Sequence, residues 1–455
     1  MMGKRADTMI KRAFFAGAAA SALFAAAPVS AQTYAITNAR VLMAGEADDP
    51  RAVRNATVIV RNGEIAAVGT DVAVPRIAEV IDARGGVVTP GLFAALSGLG
   101  LEEISLNGEG NDRSARGEVG LSASVDAADG FYADSSVIPV NRAGGVTRAY
   151  VAPDPGADLF GGCGMVIVLS RGDDTIGEGR ITDRCLAQTV SLGYAGAQRQ
   201  GDSRPAAMAR LRRALDDALD YADDPRRYRE AYEDGRLPAR DAAALVPVLT
   251  GEQKMLVQVN GASDIRRVLR LAQDYRIDLV LYGAAEAHRV AGEIAAAGVP
   301  VILDPLGNLP DRFESLGATL SAAAELEEAG VMVAFYDGDI GYTHNLRLLP
   351  QLAGNAVANG MSYGGALAAI TTNPAVIWGQ DDRLGTIAPG KVADLVVWDG
   401  DPLELTTLPI AVMIDGERMT LDSRQAALAR RYRDLDRGER PIAYRRAAAP
   451  PVAED

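Results

Sequence analysis

The chain has 455 residues, with 46 Lys+Arg set against 60 Asp+Glu and only two histidines. A net charge of −14 repels phosphate backbones, so no nucleic-acid partner is expected. Two histidines are also too few for a histidine-rich catalytic metal centre.

Lys4, Arg5, Lys11 and Arg12 precede an apolar run over 13–27, and Val29-Ser30-Ala31 offers the small residues a signal peptidase accepts. The run is shorter than the ~20 residues that span a bilayer, which predicts cleavage near Ala31 rather than a stable membrane anchor. The expected location is periplasmic or secreted. Loss of residues 1–31 removes four basic side chains and one acidic one, leaving 42 Lys+Arg against 59 Asp+Glu. Export puts Cys163 and Cys185 in an oxidising space, where a disulfide and a pair of free thiols are both open.

Next come short β-like runs at 34–43, 56–60, 64–68 and 80–81, with a hairpin signal at Asn62-Gly63. They predict a small antiparallel sheet. Residues 102–130, rich in Gly, Asn, Ser and Asp, read as a long loop, and 204–240 as charged and mostly helical. Gly161-Gly162-Cys163-Gly164 reads as a structural turn without the lysine of a phosphate loop.

The middle of the chain changes rhythm. Apolar runs at 255–260, 278–283, 299–304 and 331–337 alternate with helical patterns at 264–275, 285–297 and 320–329, and Ser263 is the natural N-cap of the first helix. Two further strands are expected at 87–96 and 147–153. Apolar strands separated by single helices predict parallel βα units. The fold class is therefore α/β, a βα (TIM-like) barrel over 89–384, preferred to an open doubly wound sheet. Strand-like runs at 393–398 and 410–414 resemble those at the start. They predict a small composite β-sandwich built from both termini, 32–88 with 385–425, followed by a helical then flexible tail over 426–455.

Val88-Thr89-Pro90-Gly91-Leu92, Thr371-Thr372-Asn373-Pro374-Ala375 and the segment 384–397 (Leu-Gly-Thr-Ile-Ala-Pro-Gly-Lys-Val-Ala-Asp-Leu-Val-Val) resemble the opening and closing signatures of the amidohydrolase superfamily, in its imidazolonepropionase-like branch. Gly144-Gly145-Val146-Thr147-Arg148 is similar to that family's entry into the second barrel strand. The resemblance implies hydrolysis of non-peptide carbon–nitrogen bonds in small, cyclic amide-like molecules, by water activated on divalent metal at the barrel mouth. It also implies a His-x-His at the end of the first strand, where this chain has Leu96 and Gly98. The fifth-strand histidine falls on Gln258, and the sixth near Tyr282 or Gly283. Lys254 and Lys391, the two lysines after the leader, lie where neither can serve as a bridging ligand.

The metal site thus reads as eroded, and no cofactor is expected. The eighth-strand acid survives as Asp337 or Asp339, which are the candidate catalytic residues. Gln258, Asn260, Glu286 and His344 are the candidate pocket residues, with Gln258 and Asn260 read as facing opposite sides of a strand. Asp337, Asp339 and His344 as a weak ion site competes with a plain Asp-Gly-Asp turn. His288 reads as a surface or packing residue. Hydrolysis at an altered site, binding of a small-molecule ligand without turnover, and partnership with a second copy or a sister protein are the three functions left open.

Overall fold

The computed structural model describes residues 32–43, 53–104, 108–115, 122–170, 179–231, 235–338 and 344–433. Residues 1–31, Asp339 and residues 434–455 lie outside the described residues.

Asn62 and Gly63 take φ of 55° and 83°, which suits a two-residue hairpin between β2 (Val53–Arg61) and β3 (Glu64–Gly69). β1 (Thr33–Val41) pairs antiparallel with β2, as expected. The sheet is nevertheless mixed. β4 (Glu79–Asp82) and β5 (Val87–Pro90) both run parallel to β1, because the link after β3 carries the chain back to the start of the sheet.

β6 (Leu92–Ser97) and β7 (Val146–Val151) are parallel neighbours and open the second part of the fold. Four unanticipated strands follow, β8 (Phe160–Cys163), β9 (Met165–Val168), β10 (Arg180–Asp183) and β11 (Ala187–Ser191). The glycine-rich segment read as a turn is mostly strand β8. Gly162, at φ 100°, lies so near Val125 that a Cβ would meet its carbonyl oxygen at 2.2 Å. β11 (Ala187–Ser191), β12 (Lys254–Val259), β13 (Leu279–Gly283), β14 (Val301–Leu303) and β15 (Val333–Phe335) then form a parallel run. The described strands make a four-stranded sheet, β10-β9-β7-β6, and a six-stranded one, β15-β14-β13-β12-β11-β8. One segment touches both: Ile370 O accepts from Phe93 N–H at 2.9 Å, and Ala369 O from Phe335 N–H at 3.1 Å.

β16 (Leu395–Trp398), β17 (Pro409–Ile414) and β18 (Glu417–Arg418) return to the first sheet, where β16 pairs antiparallel with β5. The resulting sheet has eight strands drawn from both ends of the described chain.

Alternation along the parallel strands sorts the core. Tyr150, Leu256, Val280, Ile302 and Ala334 pack together on one face, while Val257, Leu281 and Leu303 pack against helices on the other. The helix Ala262–Tyr275 buries Ile265, Val268 and Leu271, close to the predicted stripe. Ser263 does not cap it. Gly261 is the N-cap and offers no side chain, so the first amide finds its acceptor elsewhere.

Cys163 and Cys185 are joined as a disulfide, with Cα atoms 4.7 Å apart and a sequence separation of 22. Closing a loop of that size restricts the unfolded chain by about 3 kcal/mol. Replacing both cysteines by serine is expected to lower the unfolding free energy in urea by that amount, with wild type in a dithiol reductant shifting equally. Unchanged midpoints in both would show that the bond constrains nothing.

Candidate functional site at the carboxyl ends of the parallel strands

Continuing each inward-facing strand by two residues leads to the edge of the packed interior. Tyr150 and Ala152 lead to Asp154, Leu256 to Gln258, Val280 to Tyr282, Ile302 to Asp304 and Ala334 to Tyr336. Asp154, Gln258, Tyr282 and Tyr336 line a cavity of about 420 Å³, together with Arg113, Arg199, Arg312 and Gly338. Asp304 borders Gly338, where an added Cβ would meet its Oδ2 at 2.6 Å.

The polar groups are held before any ligand arrives. Arg113 spans two acids: Nη1 lies 2.7 Å from Glu102 Oε2, and Nη2 reaches Asp154. Arg199 donates from Nε, Nη1 and Nη2 to the carbonyls of Gly156, Ala195 and Pro155, so its charge is fixed by backbone dipoles. Ser191 Oγ donates to Gln258 Oε1 at 2.6 Å, leaving the amide nitrogen of Gln258 outside that bond. The rings of Tyr282 and Tyr336 meet edge to face, 6.2 Å between centroids. Burial pushes the Asp154 carboxyl above its ordinary pKa, with the Arg113 charge working against it. Asp304 is likewise raised, by burial and by the nearby Asp337 charge, while the Leu306 amide lowers it.

Only part of the predicted site assembles here. Gln258 lines the cavity. Asn260 does not, and the expectation of opposite faces misreads the period, since residues two apart share one face of a regular strand. Asn260 lies past the end of β12, donating to Glu314 Oε1 at 3.1 Å and receiving Ala285 N–H at 3.5 Å. Glu286 borders a separate groove of about 1270 Å³, shared with Tyr194, Arg204 and Phe313. There it supplies the missing helix cap: Oε2 accepts from Ala262 N–H at 3.1 Å, and Oε1 from Gly317 N–H at 3.0 Å and Arg289 Nη1 at 3.1 Å. His344 Nε2 lies 2.8 Å from the Glu103 carbonyl, which can only accept, so that nitrogen carries a proton. Asp337 stands close enough to Asp304 for its charge to act there, and Asp339, the second acid of the proposed ion site, is outside the described residues. Sequence reasoning missed Asp154, Asp304, Arg113 and Arg199. Position just beyond a strand's carboxyl end was the available signal for the two aspartates.

The Glu286 carboxylate has a pH signature. Burial raises its pKa, but the Ala262 and Gly317 amides and Arg289 outweigh burial and leave it below its ordinary value. A lowered folded-state pKa contributes stability that is present above the ordinary carboxyl range and is lost as pH falls through the folded value. Glu286→Ala is expected to cost about 1–3 kcal/mol at pH 7 through two unsatisfied amides. Thermal melts should show the gap to wild type narrowing in acid. A constant gap would mean that packing, not charge, carries the effect.

With this geometry established, relatives place the chain. It is 30% identical to an imidazolonepropionase of Aromatoleum aromaticum over 386 residues, which is 79% of this chain and 89% of that one. The chain belongs to the amidohydrolase superfamily. The pattern of the Amidohydrolase family matches residues 263–422 of this superfamily member. An amidohydrolase of Hapsidospora irregularis is 24% identical over 370 residues, and the alignment takes in 75% of this chain but only 37% of that relative's length. Among solved structures, an amidohydrolase from Thermotoga maritima MSB8 superposes with a TM-score of 0.75 at 26% identity, covering 85% of this chain and 99% of the other.

At the first-strand positions where the sequence resemblance implied a His-x-His, this amidohydrolase-superfamily chain carries Leu96 and Gly98. Leu96 is buried in the interior among Phe93 and Tyr150, and Gly98 has no side chain to offer. Among the described residues, the group of His, Cys, Asp and Glu that brings three ligand atoms within 4.8 Å of one another is Asp126, Cys163 and Cys185, not a set at the mouth.

Proposed function

We propose that this chain is an exported amidohydrolase-superfamily protein that keeps a small-molecule pocket at the barrel mouth without the inherited metal-dependent hydrolysis. The barrel comprises 89–384 in this reading, and the composite sandwich 32–88 with 385–425. The eight-stranded sheet drawn from both ends supports that division. The segment that binds both β6 and β15 supports closure of the barrel.

The observation that carries the reading is the identity of the mouth side chains. Strand ends that would present metal donors present Gln258 and Tyr282, and the loops around them bring arginines. Such groups bind a polar ligand through hydrogen bonds and charge, whereas none of them lowers the pKa of water as a divalent ion does. Elemental analysis of the chain, purified without chelators and without a histidine tag, is expected to find zinc, manganese and iron far below one per chain. Near-stoichiometric metal that is lost in Asp337→Ala would overturn the proposal and restore hydrolysis of a non-peptide carbon–nitrogen bond as the function.

A second reading, partnership with another copy or a sister protein, is favoured by the loop after β14. Leu309, Phe313 and Leu316 are 74%, 90% and 60% exposed there. They are not loosely held, because neighbouring Glu314 is buried and takes hydrogen bonds from Tyr194 N–H and Asn260.

A further inference from the structure

We propose that Asp126, Cys163 and Cys185 form a redox-gated metal site, closed as a disulfide when oxidised and open to a soft divalent cation such as zinc when reduced. One ligand atom from each residue lies within 4.8 Å of the others, and the two sulfurs, bonded to each other in this state, need only part to about 3.7 Å to share one tetrahedral ion. The site lies far from the mouth in strand terms. Cys185 precedes β11 and Lys254 opens β12 beside it, whereas Gln258 stands at the opposite end of the same strands.

Backbone contacts position all three ligands without the ion. Cys163 N–H donates to Val125 O at 2.8 Å, and Asp126 forms a parallel bridge with Cys163. Gln253 Nε2 holds the Cys185 carbonyl at 2.7 Å. Cys163 is buried, while Asp126 and Cys185 are partly exposed, so a cation has an approach from solvent. Two sulfurs and one carboxylate oxygen leave a fourth tetrahedral position for water. Arg184 bonds both Asp126 and Asp129, each at 2.8 Å, and can keep Asp129 when a metal takes Asp126.

The chemistry balances with an external dithiol as reductant. Two electrons and two protons pass to the Cys163–Cys185 bond, giving two thiols, while the donor becomes a disulfide. Each thiol then releases its proton to solvent as its sulfur coordinates.

The test uses the full chain, reduced anaerobically with a dithiol, desalted, and titrated with cobalt(II) as a visible stand-in for zinc. One equivalent is expected to bind with sulfur-to-cobalt charge-transfer absorption and the ligand-field bands of a tetrahedral ion. The oxidised chain should show neither. Asp126→Asn should weaken binding on the order of tenfold or more with the thiol count unchanged. Equal binding by the oxidised chain, cobalt bound without the sulfur band, or an unaffected Asp126→Asn would each overturn the proposal. Should reduction loosen the fold, zinc must raise the melting temperature of the reduced chain and leave that of the oxidised chain unmoved. No rise in the reduced chain would equally overturn it.

Discussion

Arg148→Met is expected to lower the unfolding free energy by about 3–5 kcal/mol, the range for breaking a buried ion pair from one side. The side chain is 7% exposed. Its Nε lies 2.7 Å from Asp394 Oδ2, and its Nη2 reaches Asp394 Oδ1 at 3.3 Å and also Asp415. Burial alone would lower the arginine pKa, but the two aspartates outweigh it and hold the guanidinium above its ordinary value. Removing the cation strands Asp394, itself 6% exposed, with Asp415 N–H as a remaining donor at 2.8 Å. The pair ties β7 to the start of β16, so its loss should loosen the attachment of the eight-stranded sheet to the parallel strands. Urea unfolding at pH 7 measures the effect, and Arg148→Met with Asp394→Leu provides the control. The double variant should recover part of the loss, because no buried charge is then left unpaired. A double variant as weak as the sum of its singles would show that the two positions act independently.

That ion pair also shows how much of the fold could be read in advance. Arg148 ends the segment Gly144-Gly145-Val146-Thr147-Arg148, and Asp394 sits in the closing signature, two pieces of sequence that carried the family likeness. Their glycines have a local reason. Gly145 takes φ 96°, and a Cβ on it would crowd the Trp398 ring at 3.1 Å. Strands were legible as unbroken apolar runs between helical patterns, as in β12 to β15, and so were the helices with an apolar stripe. β8 was hidden because its glycines leave no period to read. The parallel placement of β4 and β5 was hidden because strand direction within a sheet depends on where a loop goes, not on the strand's own residues.

The site was less legible than the fold for a related reason. Glu286 was picked out for its place after a strand, yet it serves as the cap that Gly261 lacks, a role set by a contact 24 residues away in sequence. Arg113 acquires its place through Glu102 and Asp154, the second of them 41 residues distant. Such pairings depend on loop paths that no local pattern encodes. Strand alternation, by contrast, does encode the inward set, and continuing it in steps of two through each strand's carboxyl end would have named Asp154 and Asp304.

Trp378→Ala should destabilise the chain by about 3–5 kcal/mol, as expected for emptying a fully packed aromatic site. Trp378 is 2% exposed and lies almost parallel to the Tyr150 ring, 3.5 Å between centroids and 11° between planes. Its Nε1 donates to Ala95 O at 2.9 Å, so the indole fills the interior and also satisfies a backbone carbonyl of β6. These two contributions can be separated. Trp378→Phe keeps a ring against Tyr150 but removes the donor, and is expected to cost about 1–3 kcal/mol for the unsatisfied carbonyl. Urea unfolding of both variants checks the order. Equal losses would assign the whole effect to the hydrogen bond. Because Tyr150 and Leu96 share this packed cluster, the same variants ask whether the interior supports the mouth. A ligand held by Gln258 and the arginines should bind Trp378→Phe nearly as well as wild type, since strand alternation keeps the mouth groups two residues beyond the packed layer. Weaker binding in proportion to lost stability would mean that the aromatic stack sets the position of the strand ends as well as their packing.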